Sequence, residues 1–588
     1  MFHSGYRLKR PFLHSVISLL LLLTLAACNG SQSQQSTPTQ SPSAQLSTID
    51  LGIPQKALHS LTTGNLPDNT QLHVLVTFKV NQALLKQLGT SQKNESGQGS
   101  DLTTMANQLG ITDQQYQQVK QFFGVQDVSI QLNSLHTILT LDAPASTFAK
   151  LLKTSFVYHE YQGRTFFAPA APLMLPQAIA QYIQAINGLD SYTRPLHAAT
   201  SMDSLHSLNT GAQKAGCLVT DANGGFTIQQ IRQAYGFNQA IPTSAGGGKT
   251  TILLPEFAAF SQSDLQFYLN CVQFHGKISV VTVNNNPPTN EDVEPLLDLE
   301  MVAGLLPNAN IVVYQEANSG YAMQDVFNQI ETDYAKNHSP VDLSISWGLA
   351  ENLDTQDDIS ALNTAIQTMV LGEHINFFGA SGDCAAYDDS TNYPDTLAIN
   401  YPASDPYSIS VGGTELSASR AGSRTKEVVW TGSPQQNPNC DNTWGSGGGL
   451  SQTFRQPSWQ QGPGVRNSFS NGQRQAPDVS AIANNIVIFA QGQWDYSGGT
   501  SAATPIWASA IALANEGLMA KTHYYTYGPA LFYWMDQHAA NAHPYYDVTQ
   551  GNNLHYPATP GWDFATGLGT PNVPGLLQGL QTFIAAQR

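Results

Sequence analysis

From about Phe226 onward the chain alternates short apolar runs with amphipathic stretches, and this alternation constrains the fold more than any other feature. TTILLPEF, ISVVTVN, ANIVVYQ, DLSISWG, INFFGASGD and YSISVGG have the length and near-continuous apolar character of strands. Between them, DLQFYLNCVQF, PLLDLEMVAGLL, MQDVFNQIETDYAK and ALNTAIQTMVL have helical length and period. A strand that is apolar on both faces must be covered on both, which predicts an α/β domain over residues 225–588 with a mostly parallel central sheet flanked by helices. In such sheets ligands sit at the carboxyl ends of the strands, and Glu256, Trp347 and Asp383 fall at such ends.

Ahead of this domain the texture differs. With 588 residues the chain has room for at least two domains. Residues 49–195 mix strand-like pieces (LHVLVTFKV, VSIQLNSLHTILTLDA, RTFFAPA) with helical ones (DQQYQQVKQFF, PASTFAKLLKTSF, PQAIAQYIQAI), which predicts a compact α+β domain with an antiparallel sheet. Residues 196–224 are rich in small and polar side chains and read as an exposed connection open to proteolysis. Residues 29–48 are Ser, Gln, Thr and Pro, a tether that buries too little apolar surface to fold.

Residues 1–28 carry a basic head (Arg7, Lys9, Arg10), an apolar run from about Val16 to Ala27, and Cys28. This is the pattern of an export signal, short for a membrane span. Leu25, Ala26, Ala27 and Cys28 resemble a bacterial lipobox, in which the cysteine is lipidated; an ordinary signal peptide is the alternative. An exported chain with four further cysteines favours up to two disulfides, with Cys217 to Cys271 and Cys384 to Cys440 the expected pairing among three possible connectivities. The balance of 42 acidic against 25 basic residues, a net charge of -17, argues against nucleic acid as a partner.

DYSGGTSAATPIWASAIAL places Ser501 among small residues at the mouth of an apolar helix, as a nucleophile requires. The usual base for such a serine is histidine. GTSxxxP also occurs in subtilisin-like peptidases, whose histidine lies in an HGTH stretch; here the only His-Gly is His275-Gly276, followed by Lys277. Carboxylates offer a better base. NEDVEPLLDLEMVAGLL puts Glu294 and Asp298 four residues apart on one helix face, and Asp383 follows an apolar strand in FFGASGDCAAYD.

ExxxD, SGD and SGGTSAxxP in this order resemble the sedolisin family, the serine-carboxyl peptidases. FTIQQIRQAYGF, SISWG, YPASDPYSISVGGTEL, SGGGLSQTFRQPSWQ, RQAPDVSAIA, DVTQGNN and GWDFATGLGTPN are similar to further stretches of that family. The resemblance implies a subtilisin-like catalytic domain behind an α+β, ferredoxin-like propeptide domain. It implies Ser501 as nucleophile, Glu294 as general base and then acid, Asp298 as the group orienting Glu294, and Asp383 as the oxyanion donor. Glu256 and Trp347 resemble positions that extend the network around the base. Asp547 and Asp563, with the carbonyls of Val548, Thr559 and Gly561, are the implied ligands of one structural calcium, although the family usually has glycine where Thr559 stands.

Asp383 must be protonated to donate to an oxyanion while Glu294 is ionised, so activity in acid is expected. Pro295 is tolerated only in a first helical turn, which places Glu294 at a helix start, where the dipole favours its ionised form. The expected protein is therefore a secreted acid endopeptidase made as a self-processing zymogen, monomeric, acting on proteins or peptides and inhibited by its own propeptide. A tripeptidyl-peptidase is the alternative within the family. The precursor meets a membrane only through a lipid on Cys28. A histidine-dependent peptidase and an inactive binding lipoprotein are the competing classes.

Overall fold

The computed structural model describes residues 45–90, 93–95, 101–197, 216–217, 225–240, 248, 250–336, 340–389, 396–432, 440 and 444–588. The export signal with Cys28, and most of the tether and of the 196–224 connection, lie outside the described residues.

In the N-terminal part, strand β1 (Gln71–Phe78) is followed by helix α1 (Asp113–Phe123), strands β2 (Ser129–Leu132) and β3 (Ile138–Pro144), helix α2 (Ala145–Leu152) and strand β4 (Ile183–Asn187). The strands pair antiparallel in the order β4–β1–β3–β2, the ferredoxin-like arrangement. Thr112 and Gln115 start α1 with a reciprocal capping box. Val119 and Phe123 of α1 and Phe148 and Leu152 of α2 then pack with Val74, Val76, Leu139 and Leu141 of the sheet in one apolar core.

One segment departs from its local pattern. PQAIAQYIQAI is helical only over Gln177–Ala180 and then becomes β4. Ile179, Ile183 and Ile186 keep helical spacing, but β1 offers an open edge, and Ile186 and Asn187 pair with Val76 and Leu75. Closing that edge outweighs the local period.

The C-terminal part comprises β5 (Thr251–Glu256), β6 (Lys277–Thr282), α3 (Glu294–Leu305), β7 (Asn310–Gln315), α4 (Ala322–Tyr334), β8 (Val341–Ile345), α5 (Gln356–Gln367), β9 (Asn376–Ala380), β10 (Ile409–Ala418), β11 (Arg424–Val429), β12 (Val479–Ile482) and α6 (Thr500–Thr522). The sheet runs β6–β7–β5–β8–β9–β10–β11, with β12 also on β10, and every pairing is parallel except β10 with β11. All six apolar runs predicted as strands are in it. Chain order reverses between β5 and β8, so a crevice opens at their carboxyl ends. Helices α3 and α6 pack on each other beside the sheet. Every residue of α3 is buried, Glu294, Asp298 and Glu300 included, so it is not the half-exposed amphipathic helix that its sequence suggests; nearly all residues in the first five turns of α6 are buried too.

The two parts are bonded to each other. His73 bridges Asp142 of β3 (2.6 Å) and Asp325 of α4 (3.2 Å); burial alone would lower its pKa, but the two carboxylates raise it to about 10. Asp357 and Asp358 of α5 accept from the Ile186 N–H (3.1 Å) and the Thr193 hydroxyl (2.5 Å). Past β4 the chain reaches Leu196–His197, which lies antiparallel on Trp347–Gly348. The expected disulfides are both present, Cys217–Cys271 and Cys384–Cys440. No helix among the described residues is long and apolar enough to cross a membrane.

Candidate active site

The ends of β5, β8 and β9 and the starts of α3 and α6 converge in the crevice. Asp292 Oδ1 accepts the backbone N–H of Val293 (2.6 Å) and of Glu294 (3.2 Å), starting α3 at Glu294. Pro295 falls in the first turn, where its missing N–H is harmless. Helix α6 starts after Gly499, whose φ of +105° is a conformation that L side chains rarely adopt. Pro505, four residues beyond Ser501, cannot donate to the Ser501 carbonyl, and the Ser346 hydroxyl approaches that carbonyl instead, at 3.4 Å.

Ser501, Glu294, Asp298, Asp383, Glu256 and Trp347 are all buried. The Trp347 indole N–H donates to Glu256 Oε2 (2.9 Å), and Glu256 and Asp298 share a hydrogen bond. The Ser346 hydroxyl spans both oxygens of Asp298 (2.8 and 3.0 Å). The Glu294 carboxyl lies against the Ser501 hydroxyl, which acts on it as a donor, short of full hydrogen-bond alignment. Such contacts commonly tighten only when substrate is bound. Asp298 reaches Glu294 through its charge, while its hydrogen bonds run to Ser346 and Glu256.

Burial pushes Glu294 well above the usual carboxylate range; the charges of Asp298, Asp292 and Asp383 push it further, and the Ser501 hydroxyl pulls it down. The helix start, expected to favour an ionised Glu294, works against this burial. A dipole contributes at most about 2 kcal/mol, less than the desolvation of a fully buried carboxylate beside other carboxyls. Burial raises Glu256 and Asp298 likewise, so full ionisation of the cluster is disfavoured and an ionised Glu294 requires protonated neighbours.

Asp383 Oδ1 accepts twice from Thr500, from its N–H (2.7 Å) and its hydroxyl (2.8 Å). The Thr500 oxygen in turn accepts from the Gly382 N–H (3.2 Å). Oδ2 is shielded and has no hydrogen-bond partner among the described residues, so a proton on Asp383 belongs on Oδ2. Burial pushes this carboxyl up to about 7. Thr500 and Ser346 went unassigned in the sequence, although they stand in the same GGTS and SISWG stretches as Ser501 and Trp347. Their roles come from contacts that no linear pattern encodes.

A second set lies near the C-terminus. Asp547 Oδ2 accepts the Gly561 N–H and Asp563 Oδ2 the Thr559 N–H, both at 2.9 Å, so the two carboxylates face one loop. Thr566 Oγ1 is 3.2 Å from Asp563 Oδ1 and 3.5 Å from the Val548 carbonyl, which brings that oxygen to the same place. Burial pushes Asp563 up to about 7 and raises Asp547. These hard oxygens fit a calcium ion in donor chemistry.

Comparison with known proteins places both halves. Residues 59–192 match the pro-kumamolisin activation domain and residues 274–535 the subtilase family. Kumamolisin from Bacillus sp. (strain MN-32) is 29% identical over 468 residues, 75% of this chain and 78% of kumamolisin. Sedolisin from Pseudomonas sp. (strain 101) is 27% identical over 544 residues, 86% of each chain. Tripeptidyl-peptidase 1 from Rattus norvegicus is 26% identical over 465 residues, 74% of this chain and 77% of its own. Among solved structures, Pseudomonas sedolisin, a serine-carboxyl proteinase complexed with two molecules of pseudo-iodotyrostatin, superposes with a TM-score of 0.52 at 26% identity, covering 61% of this chain and 98% of that one. An activation domain followed by a subtilisin-like domain makes this chain a member of the sedolisin family, the serine-carboxyl peptidases that hydrolyse peptide bonds.

Proposed function

We propose that the protein is an exported, acid-acting serine-carboxyl endopeptidase made as a self-processing precursor. The observation that carries this reading is the pairing of the Ser501 hydroxyl with a buried carboxyl, Glu294, beside a second carboxyl, Asp383, whose Oδ2 is free to hold a proton. In the first step Ser501 Oγ attacks the scissile carbonyl carbon and its proton passes to Glu294. Asp383 donates from Oδ2 to the oxygen on which negative charge develops, stabilisation worth about 2.7–4 kcal/mol for one such donor. Glu294 then returns the proton to the leaving amine, the C–N bond breaks, and an acyl-enzyme remains on Ser501. Water repeats the sequence and releases the acid. Asp298, bonded by Ser346 and Glu256, sets the charge that Glu294 meets, and Trp347 anchors Glu256.

Acid operation follows from Asp383. A donor pushed up to about 7 is present below that pH and lost above it. Endopeptidase action is supported by Leu196–His197 on the Trp347–Gly348 strand. A cleft lined by that strand takes a chain that continues toward its N-terminus through a whole domain. The same pairing supports inhibition by the attached propeptide. Asp547 and Asp563, with the carbonyls of Val548, Thr559 and Gly561, would hold calcium, which would neutralise the two carboxylates and fix the loop. The N-terminal signal would export the precursor, with a lipid on Cys28 holding the propeptide until cleavage frees the monomeric enzyme.

Digestion of a denatured protein across about pH 3 to 8 tests the reading, with products identified by mass. Loss of cleavage in Ser501→Ala and Glu294→Ala, a wild-type optimum well below neutrality and internal fragments are expected. Release of tripeptides alone would replace endopeptidase with tripeptidyl-peptidase action, and activity surviving in Glu294→Ala would require another base.

A further inference from the structure

The catalytic scheme leaves one carboxyl beside the oxyanion donor unused. Asp388 reaches solvent in part, yet its Oδ2 is fully shielded and has no hydrogen-bond partner among the described residues. Its Oδ1 accepts the Cys384 N–H at 3.2 Å, and the Asn400 N–H lies near enough to act on the carboxyl. A side chain at Gly382, whose φ is +105°, would collide with both Asp388 oxygens. The turn through Gly382, Asp383 and Cys384 is therefore folded directly onto this carboxyl. Thr500 grips the same turn from the other side, through the Gly382 N–H and the Asp383 carboxyl.

Asn400 gives the contact a destination. Asn400–Tyr401 pairs antiparallel with Leu349–Ala350, and the same short strand carries Leu196–His197 on Trp347–Gly348. Asp388 thus joins the turn bearing the oxyanion donor to the sheet along which a peptide chain lies in the cleft. Burial pushes Asp388 well above the usual carboxylate range, the Asp383 charge pushes it further, and the two backbone N–H groups act against both. A carboxyl raised in this way favours its neutral form, which adds no second charge beside the oxyanion.

We propose that Asp388 is a positioning residue for peptide-bond hydrolysis: it clamps the turn at Gly382–Cys384 to the cleft strand through Asn400 and so fixes where Asp383 Oδ2 is aimed. The inference rests on Asp383 being the oxyanion donor. Misplacing a catalytic group by about 1 Å costs on the order of a hundredfold in rate, so the clamp is read in turnover.

The test compares matured wild type, Asp388→Ala, Asp388→Glu and Asp388→Asn on a fluorogenic peptide in acid, with active sites titrated, unfolding followed in parallel and Asp383→Ala as reference. Asp388→Ala and Asp388→Glu are expected to lower kcat about 10- to 100-fold with KM within about twofold of wild type. Asp388→Asn, which keeps the Oδ1 acceptor on a neutral group of the same size, is expected to restore most of the loss. Wild-type kcat per titrated site in both the alanine and glutamate variants overturns the inference, and so does an asparagine variant as slow as alanine. Should Asp388→Ala not fold, Asp388→Glu and Asp388→Asn decide it. Full activity in Asp383→Ala would instead sink the oxyanion assignment beneath it.

Discussion

Replacing Thr500 with valine is expected to move the alkaline limit of activity upward. Thr500 gives Asp383 Oδ1 two donors, at 2.7 and 2.8 Å, and both favour the ionised carboxylate. Valine keeps the N–H and the side-chain shape but deletes the hydroxyl. A hydrogen bond contributes about 1.5–3 kcal/mol to a charged acceptor and about 1 kcal/mol to a neutral one. Ionised Asp383 therefore loses roughly 1 kcal/mol more than the neutral acid. At about 1.4 kcal/mol per pH unit, its pKa rises by roughly 0.5 to 1.5 units from a starting value of about 7. Activity needs the neutral acid and is lost as pH rises through that pKa, so the alkaline limb of kcat shifts upward by the same amount. Valine also strips the Gly382 N–H of its acceptor, which costs about 1–3 kcal/mol of stability and lowers kcat at the optimum. The assay is kcat against pH on a peptide substrate for wild type, Thr500→Val and Thr500→Ser, with unfolding followed over the same range; serine keeps the hydroxyl and should leave the limb in place. A limb that stays fixed or moves down in Thr500→Val refutes its assignment to Asp383.

Stability should be greatest in acid. Burial pushes Asp342 up to about 7 and raises Glu331 and Glu373 well above the carboxylate range, so these groups hold protons more tightly folded than unfolded. Their contribution is complete below their unfolded values near 4 and is lost as pH climbs through the folded ones, about 7 for Asp342. The Tm of the full-length Ser501→Ala protein should therefore fall between pH 4 and 8, and a rise over that interval would contradict this. Trp347→Phe removes the 2.9 Å bond to Glu256 while an aromatic ring still faces Phe257; a kcat about tenfold lower at nearly unchanged KM is expected, and unchanged kcat would make Trp347 a packing residue. A calcium chelator should lower the Tm of wild type but not of Asp563→Asn; a wild-type Tm indifferent to the chelator removes calcium from the C-terminal loop.

Much of this was legible because two periods are hard to disguise. The six apolar runs announced the parallel sheet, and the spacing of Glu294, Pro295 and Asp298 announced where α3 starts. PQAIAQYIQAI misled because its isoleucines fit a helix, while the open edge of β1 that captures them belongs to a segment about a hundred residues away. The burial of Glu294 was hidden for a similar reason. A helix start is visible in sequence, but the carboxyls of Asp383 and Glu256 arrive from other strands and bring burial with them. Thr500, Ser346 and Asp388 act through side-chain contacts between elements, which motif spacing does not specify.

The central claim is that a carboxyl base and a carboxylic acid frame Ser501. A crystal structure of the mature enzyme treated with a peptide aldehyde in acid tests it most directly. A hemiacetal bond from Ser501 Oγ is expected, with its oxygen within about 3 Å of Asp383 Oδ2 and Glu294 in hydrogen-bond reach of Oγ. A hemiacetal oxygen turned away from Asp383, or a histidine in place of Glu294 beside Oγ, would contradict it.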